Sequence, residues 1–405
     1  MKASLRRLSM DLAMVLALVS GGCGGGDSQA LRASLDTAQT GARETAAVSG
    51  SKTAQNFQPS AALAAPGNMK WNPGHYVVFQ ADEGDHAVDS GLKEVEHLPF
   101  VKGIVVRAYW QQIEKDKDVY SFWRIERFLN KAAARQKRFF LLLSLRSFRS
   151  DRVAPAYLHT PYYDGGVFHI QTHKDSQGEV ITLWNEHTRH RVTKLIRTLA
   201  ARYNSHPYFE GLILTETAFG RPVEPVTAEQ KTAYYVNFIR LDTAARAAFA
   251  NTVVIQFVNF PKEFTPAIVS NLQAQGLGYG SPDVFMADDD HEKYVYPFND
   301  QVRGQIPIGM QVESDSYYSP YGGGPFDPPD VWDLYEFSRD RLYSNYVFWE
   351  RDLRPPLVAW KKVLKMFNSP EFPATPTGGL EAACPSRYTR CVGQDEAARA
   401  SGTAR

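Results

Sequence analysis

Gly211-Leu212-Ile213-Leu214-Thr215-Glu216 is a short apolar run that ends abruptly in a carboxylate. Ahead of it, Val192, Leu195, Ile196, Leu199 and Tyr203 recur at the spacing of an amphipathic helix. That helix gives out in Ala201-Arg202-Tyr203-Asn204-Ser205-His206-Pro207. The apolar residues of 211–214 follow one another without alternating polar partners. A strand built from them is buried on both faces, as in a parallel sheet.

The same unit recurs along the chain. Further apolar runs fall at 76–79, 103–106, 139–145, 253–258, 284–286, 306–312 and 346–349, which makes eight with the first. Between them, Ile125, Phe128, Leu129 and Ala132 keep helical spacing, and weaker helical patterns cover 234–249, 266–275 and 331–342. A last one, 357–367, follows the eighth run. Eight strands alternating with helices over residues 67–369 predict an α/β chain folded as a single (β/α)8 barrel, the TIM-barrel architecture. A doubly wound open sheet would carry a glycine-rich phosphate loop after its first strand, and none is present.

In such a barrel the site is built where strands end at the C-terminal face. Those ends offer Asp82 and Glu83, Arg107 and Trp110, Arg146, Glu216, Asn259, Asp288 to His291, Glu313, and Trp349 with Glu350. Two stand out. Glu216 closes one run, and Ile306-Pro307-Ile308-Gly309-Met310-Gln311-Val312 ends in Glu313. Paired carboxylates at one mouth can act as proton donor and nucleophile on either side of a glycosidic bond. The plainer reading makes each Glu a solvated strand cap.

The order of motifs around these glutamates resembles clan A glycoside hydrolases, the retaining barrel enzymes that include families 42 and 5. Arg107-Ala108-Tyr109-Trp110-Gln111-Gln112-Ile113-Glu114, followed by Tyr120-Ser121-Phe122 and Ile125-Glu126, is similar to their second strand and loop. Arg202 to Pro207 is similar to the segment before their fourth strand, and a Trp closes the eighth. The chain departs from the pattern in three places: Trp110 comes one position early, Asp118 stands where Gly is usual, and Thr215 replaces the Asn that precedes the acid/base Glu.

The resemblance implies that Glu216 is the general acid/base and Glu313 the nucleophile, with Arg107 keeping Glu313 ionised. It implies that Trp349 stacks under the sugar. Trp110, Arg146, Thr215, Asn259, Asp288 and Tyr317 complete the expected substrate-binding set. The implied partner is a poly- or oligosaccharide. No cofactor and no metal is expected. Asp288-Asp289-Asp290-His291 has ligating side chains, but consecutive residues diverge and no H-x-H or HExxH pattern supplies the rest. A metal-dependent hydrolase at Asp288 and His291, and a barrel that binds glycan without cleaving it, are the alternatives. The aromatic, glycine-containing loop 317–329 follows the seventh run as either a lid or an ordered excursion.

Composition sets the outer limits. The 405 residues are 43% hydrophobic and 22% charged with a net charge of +1, so nothing points to nucleic acid. The 7 Trp, 20 Tyr and 23 Phe suit a cleft for sugar rings as well as a large core. Lys2, Arg6 and Arg7 precede an apolar stretch and Ser20-Gly21-Gly22-Cys23, which resembles a bacterial lipoprotein signal over residues 1–23 with Cys23 lipidated. Membrane contact is then through that anchor alone, in an exported, envelope-bound protein. With Cys23 set aside, Cys384 and Cys391 are left to pair or to remain free thiols. Residues 24–66 have a tether's composition, and 370–405 are expected to form a Pro/Gly-rich tail.

Overall fold

The computed structural model describes Leu63 and residues 67–149, 152–172 and 177–393. Eight parallel strands close into a barrel: β1 (Gly74–Phe79), β2 (Val101–Tyr109), β3 (Arg138–Ser144), β4 (Phe209–Leu214), β5 (Val253–Phe257), β6 (Gly278–Ser281), β7 (Ile308–Val312) and β8 (Tyr346–Glu350). Closure is made by β8 on β1, with Trp349 beside Val77, and every neighbouring pair is parallel. Helices follow the strands in turn: α1 (Asp85–Val95), α2 (Trp123–Ala133), α3 (Glu186–Tyr203), α4 (Ala228–Ala248), α5 (Thr265–Gln275), α6 (Asp289–Tyr294), α7 (Val331–Glu336) and α8 (Ala359–Phe367). The fold is the (β/α)8 barrel that the apolar runs predict.

One strand lies elsewhere than its run. The sixth is Gly278-Tyr279-Gly280-Ser281, not 284–286. Two of its four residues are glycine, so it carries almost no apolar signal. Its neighbours explain the choice: a Cβ on Gly280 would come within 2.1 Å of the Gly309 carbonyl. Only glycine lets β6 sit that close to β7.

Side chains alternate between two cores. Tyr76, Val105, Phe140, Ile213, Ile255 and Phe348 fill the barrel. Their sequence neighbours Val77, Val106, Leu141, Leu212, Val254 and Trp349 pack outward under the helices. Strand alternation therefore decides which residue at each strand end can reach the mouth.

The floor is polar and closed. Glu210, fully buried, accepts from the Asn72 backbone N–H (2.7 Å) and side chain (2.8 Å) and from the Tyr346 hydroxyl (3.0 Å), with the Arg138 guanidinium 3.9 Å away. The segment expected to be a free tail packs over this end as far as residue 393. Cys391–Val392 pairs with Met69–Lys70, and the Trp71 indole donates to the Ala382 carbonyl at 2.9 Å. Phe372, Leu380 and Tyr388 are buried. The spaced prolines and glycines of 370–379 are turn chemistry in an ordered strap. Cys384 and Cys391 form a disulfide within it. The signal-like segment with Cys23, and the 24–66 stretch apart from Leu63, lie outside the described residues. No helix among the described residues is long and apolar enough to cross a membrane.

Candidate active site

At the C-terminal mouth the inward positions of β2, β7 and β8 carry charge. Arg107 follows inward-facing Val105 on β2, Glu350 follows Phe348 on β8, and Glu313 leaves β7 just beyond the buried Gln311. Glu216 lies two residues past the end of β4, where the chain has left strand geometry. Asn259 stands two residues past β5, and Asp283 two residues past β6.

Asn259 is the junction of this site. Its Oδ1 accepts the backbone N–H groups of Ala218 (3.0 Å) and Phe260 (2.8 Å), which fixes the amide so that Nδ2 points inward. Nδ2 donates to Glu216 Oε2 at 2.6 Å and to Asp283 Oδ2 at 3.2 Å. Beyond Asp283, His291 Nε2 lies 3.3 Å from the same Oδ2, and His291 Nδ1 lies 2.8 Å from Asp288 Oδ1. On the other side Gln311 Nε2 donates to Glu313 Oε2 at 3.4 Å, and Glu350 Oε2 accepts the Ser314 N–H at 3.0 Å.

Burial and like charge push both glutamates toward their protonated forms. Glu216 is raised first by burial and then by the Asp283 carboxylate, against Arg146, the Asn259 hydrogen bond and Arg107. Glu313 is raised well above the ordinary value by burial, then by Asp283, with Glu350 and Glu216 adding to it. Arg107 opposes that rise and is outweighed. This corrects the expectation that Arg107 keeps Glu313 ionised: Asp283 adds a third carboxylate that acts on both glutamates. The pair titrates as part of this cluster.

The cations are left with donors to spare. Arg146 Nη2 donates to the Tyr234 hydroxyl at 2.9 Å, while Arg146 Nε and Nη1 and Arg107 Nε are buried without a hydrogen-bond partner among the described residues. Orphaned buried donors are costly and uncommon, and they are satisfied when a ligand brings oxygens to them.

Glu216, Glu313, Arg107, Arg146 and Asn259 thus lie together at one mouth. The three expected aromatic residues do not reach it. Trp349 faces outward and is fully buried, with its indole N–H on His75 Nδ1 at 3.0 Å, so it packs the barrel wall and cannot stack under a sugar. Alternation along β8 gives the mouth to Glu350 instead. Trp110 is also fully buried, donating to Glu114 Oε2 at 2.7 Å, where Glu114 in turn holds Arg191. Tyr317 is buried and donates to the Glu350 carbonyl at 3.1 Å. Thr215 lies at the mouth, but its hydroxyl oxygen takes the Leu145 N–H at 3.4 Å, bracing β3 against β4. The amide missing at position 215 comes from Asn259. Loop 317–329 is an ordered excursion pinned to the β6 side by the Ala287 N–H on the Pro320 carbonyl (2.9 Å).

Asp288 caps α6 rather than ending a strand, one layer behind the glutamates. Sequence reasoning misses Asp283 because the apolar run 284–286, which begins one residue after it, reads as the sixth strand in place of Gly278–Ser281. The cue lies in Gln275-Gly276, a helix end with glycine in the left-handed conformation, which puts the next strand at 278 and Pro282-Asp283 just past its end. Both ring nitrogens of His291 are committed to carboxylates, and no cluster of three metal-ligating side chains occurs among the described residues.

No family model matches the chain, and no curated protein matches it in sequence. Solved structures with a similar course include the catalytic domain of beta-amylase from Paenibacillus polymyxa (8% identity, TM-score 0.49, covering 71% of this chain and 93% of that one). Beta-galactosidase from Bacillus circulans sp. alkalophilus aligns at 12% identity and TM-score 0.48, over 69% of this chain and 50% of that one. For the GH36 alpha-galactosidase AgaA from Geobacillus stearothermophilus the figures are 8%, 0.45, 73% and 41%. At such identities and scores, what those proteins act on does not transfer to this chain.

Proposed function

We propose that this barrel is a retaining glycoside hydrolase whose general acid/base is Glu216 and whose nucleophile is Glu313. The observation that carries the reading is the pairing of these two carboxyls at one buried mouth, where Glu216 adds to the rise of Glu313 and Asn259 aligns Glu216 at 2.6 Å. A double displacement needs one proton shared by two carboxyls: one group gives it to the leaving oxygen while the other attacks. Burial and the neighbouring Asp283 carboxylate favour the protonated forms of Glu216 and Glu313, which is the condition for one of the pair to carry such a proton. Arg107 and Arg146 stabilise the carboxylate that forms, and their unpaired N–H groups supply donors for sugar hydroxyls.

On this reading the first step breaks the glycosidic bond as Glu313 bonds to the anomeric carbon and Glu216 protonates the departing oxygen. Water, deprotonated by Glu216, then releases the sugar from Glu313. The substrate class is a poly- or oligosaccharide. Export and lipid anchoring through Cys23 belong to the same proposal and place the substrate in a bacterial envelope.

The test is hydrolysis across a panel of aryl glycosides and polysaccharides by wild type, Glu216→Gln and Glu313→Gln. Each variant should lose about 10²–10⁴-fold in rate with its fold retained. Full activity in both would remove the assignment. A second reading, a barrel that holds glycan without cleaving it, is favoured by the Thr215 hydroxyl being committed to Leu145. Glycan binding with no product from the wild type would select it.

A further inference from the structure

We propose that His291, clamped between Asp288 and Asp283, is a fixed cationic post that positions Asp283 and, through Asn259, the Glu216 carboxyl. The inference rests on the glycosidase reading for its kinetic consequence alone; its structural content stands without it.

The geometry is an unbroken chain. Asp288 Oδ1 accepts the His291 backbone N–H and faces His291 Nδ1, both at 2.8 Å. His291 Nε2 faces Asp283 Oδ2 at 3.3 Å, and Asn259 Nδ2 bridges that same oxygen (3.2 Å) to Glu216 Oε2 (2.6 Å). A neutral imidazole has a single N–H and would leave one ring nitrogen's lone pair against a carboxylate. The imidazolium donates to both acids. The rings of Phe260, Phe285 and Tyr296 stand 5.2–5.5 Å from the imidazole and keep water away. Burial by itself would lower the proton affinity of His291, and the two acid contacts outweigh it, lifting the group to about 9.

Among the described residues, no other titratable group competes for the ring. Asp283 faces the ring from the β6 end and Asp288 from the α6 cap, while the Tyr296 hydroxyl is taken up by the Phe285 backbone. Around Glu216 stand Asp283, Arg146 and Arg107, with the Tyr234 phenol behind them. Around Glu313 stand Asp283, Arg107, Glu350 and Glu216. Asp283 is the largest like-charge influence on both glutamates, so whatever offsets its charge acts on both at once. His291 does this from outside the substrate's reach. It is a positioning residue, not a catalytic one.

The signs are opposite for the two variants. His291→Asn removes the positive post, leaves the Asp283 charge less screened, and raises the proton affinity of Glu216. Asp283→Asn removes the negative charge itself and lowers it. Asp288→Asn weakens the clamp and acts as His291→Asn does, more weakly. Shifts on the order of half a unit to one unit are expected, below the 1–3 units of a directly adjacent charge.

The experiment is an NMR titration with ¹³C-labelled glutamate and ¹⁵N-labelled histidine. The Glu216 signal is assigned by its loss in Glu216→Gln, and wild type, His291→Asn, Asp288→Asn and Asp283→Asn are compared. The proposal expects both His291 nitrogens protonated through pH 7–8, a Glu216 titration moved upward in the first two variants, and one moved downward in the third. A neutral His291 at pH 7, an unmoved Glu216, or shifts of the same sign in His291→Asn and Asp283→Asn would overturn it. If His291→Asn does not fold, Asp288→Asn decides. Where the wild type hydrolyses a glycoside, the basic limb of kcat/KM follows the same signs; a merely structural role lowers the rate and leaves that limb in place. Absence of hydrolysis would remove the glycosidase reading while leaving the titration result intact.

Discussion

The side-chain amide of Asn259 reaches Glu216 Oε2 at 2.6 Å, and the same nitrogen holds Asp283 Oδ2 at 3.2 Å. One residue just past β5 thereby links the carboxyl beyond β4 to the carboxyl beyond β6, and two backbone N–H groups on its Oδ1 prevent the amide from turning. A hydrogen bond donated to Glu216 favours its ionised form and opposes the rise from burial and Asp283. Asn259→Ala should therefore push the Glu216 titration upward and lower kcat about tenfold to a hundredfold, less than the 10²–10³ of losing a donor aimed at transition-state charge. Steady-state kinetics against pH checks both, and an unchanged kcat with an unmoved profile would refute the role.

Glu313 gives a prediction about stability. Its proton affinity lies well above that of an unfolded glutamate, so its ionised form costs the fold stability at pH values above about 4.5. Glu313→Gln removes that cost. The variant should be inactive yet more stable at pH 7, by roughly 0.5–2 kcal/mol, the trade seen when strained functional groups are neutralised. Thermal melting at pH 7 measures it, and a lower Tm than wild type would contradict the burial argument.

Trp349 separates packing from binding. Because its indole lies under the helices on His75 and against Phe367, Trp349→Ala should cost about 3–5 kcal/mol. Trp349→Phe should keep kcat/KM within about twofold of wild type, since no sugar touches it. A rise in KM without loss of stability would restore the stacking role that strand position alone suggests.

His291 contributes stability with a defined pH window. Its folded value of about 9 lies above the ordinary histidine value of 6.5, so the contribution is full below pH 6.5 and lost as pH rises through 9. Lys70, buried at the floor and lowered by that burial to about 7, has the opposite slope: its cost is full below 7 and relieved as pH rises toward 10.5. The informative quantity is thus the difference between wild type and His291→Asn in urea unfolding. It should shrink by up to about 3 kcal/mol between pH 6.5 and 9, the free-energy equivalent of that shift. A constant difference would place His291 uncharged in the fold.

The barrel was legible because seven of its strands are written as unbroken apolar runs, such as Leu212-Ile213-Leu214, which solvent-facing strands do not tolerate. The sixth was not, since Gly278 and Gly280 trade apolar surface for close approach to β7. That single slip moved the reading from Asp283 to Asp288 and His291, which in the fold support Asp283 from behind. The glutamates could be found because a carboxylate ending a buried strand is chemically abrupt. The outward turn of Trp349 could have been found as well: Phe348 and Glu350 share the inner face, so alternation sends Trp349 to the other. The strap over the floor was hidden by its composition, since the prolines and glycines of 370–379 mark turns equally well in a mobile tail and in a docked one. The buried role of Trp110 depends on Glu114 and Arg191, residues far apart in sequence that no local pattern joins.

The central claim is that Glu313 forms a covalent bond to the sugar while Glu216 manages the proton. It is tested most directly by intact and peptide mass spectrometry of Glu216→Gln after incubation with an activated 2-deoxy-2-fluoro glycoside matched to a substrate the wild type cleaves. With no general base to release it, the intermediate should accumulate as one glycosyl unit per chain, located on Glu313. A label on Asp283 or Glu350, or an unlabelled protein from an enzyme that hydrolyses the parent glycoside, would contradict the mechanism.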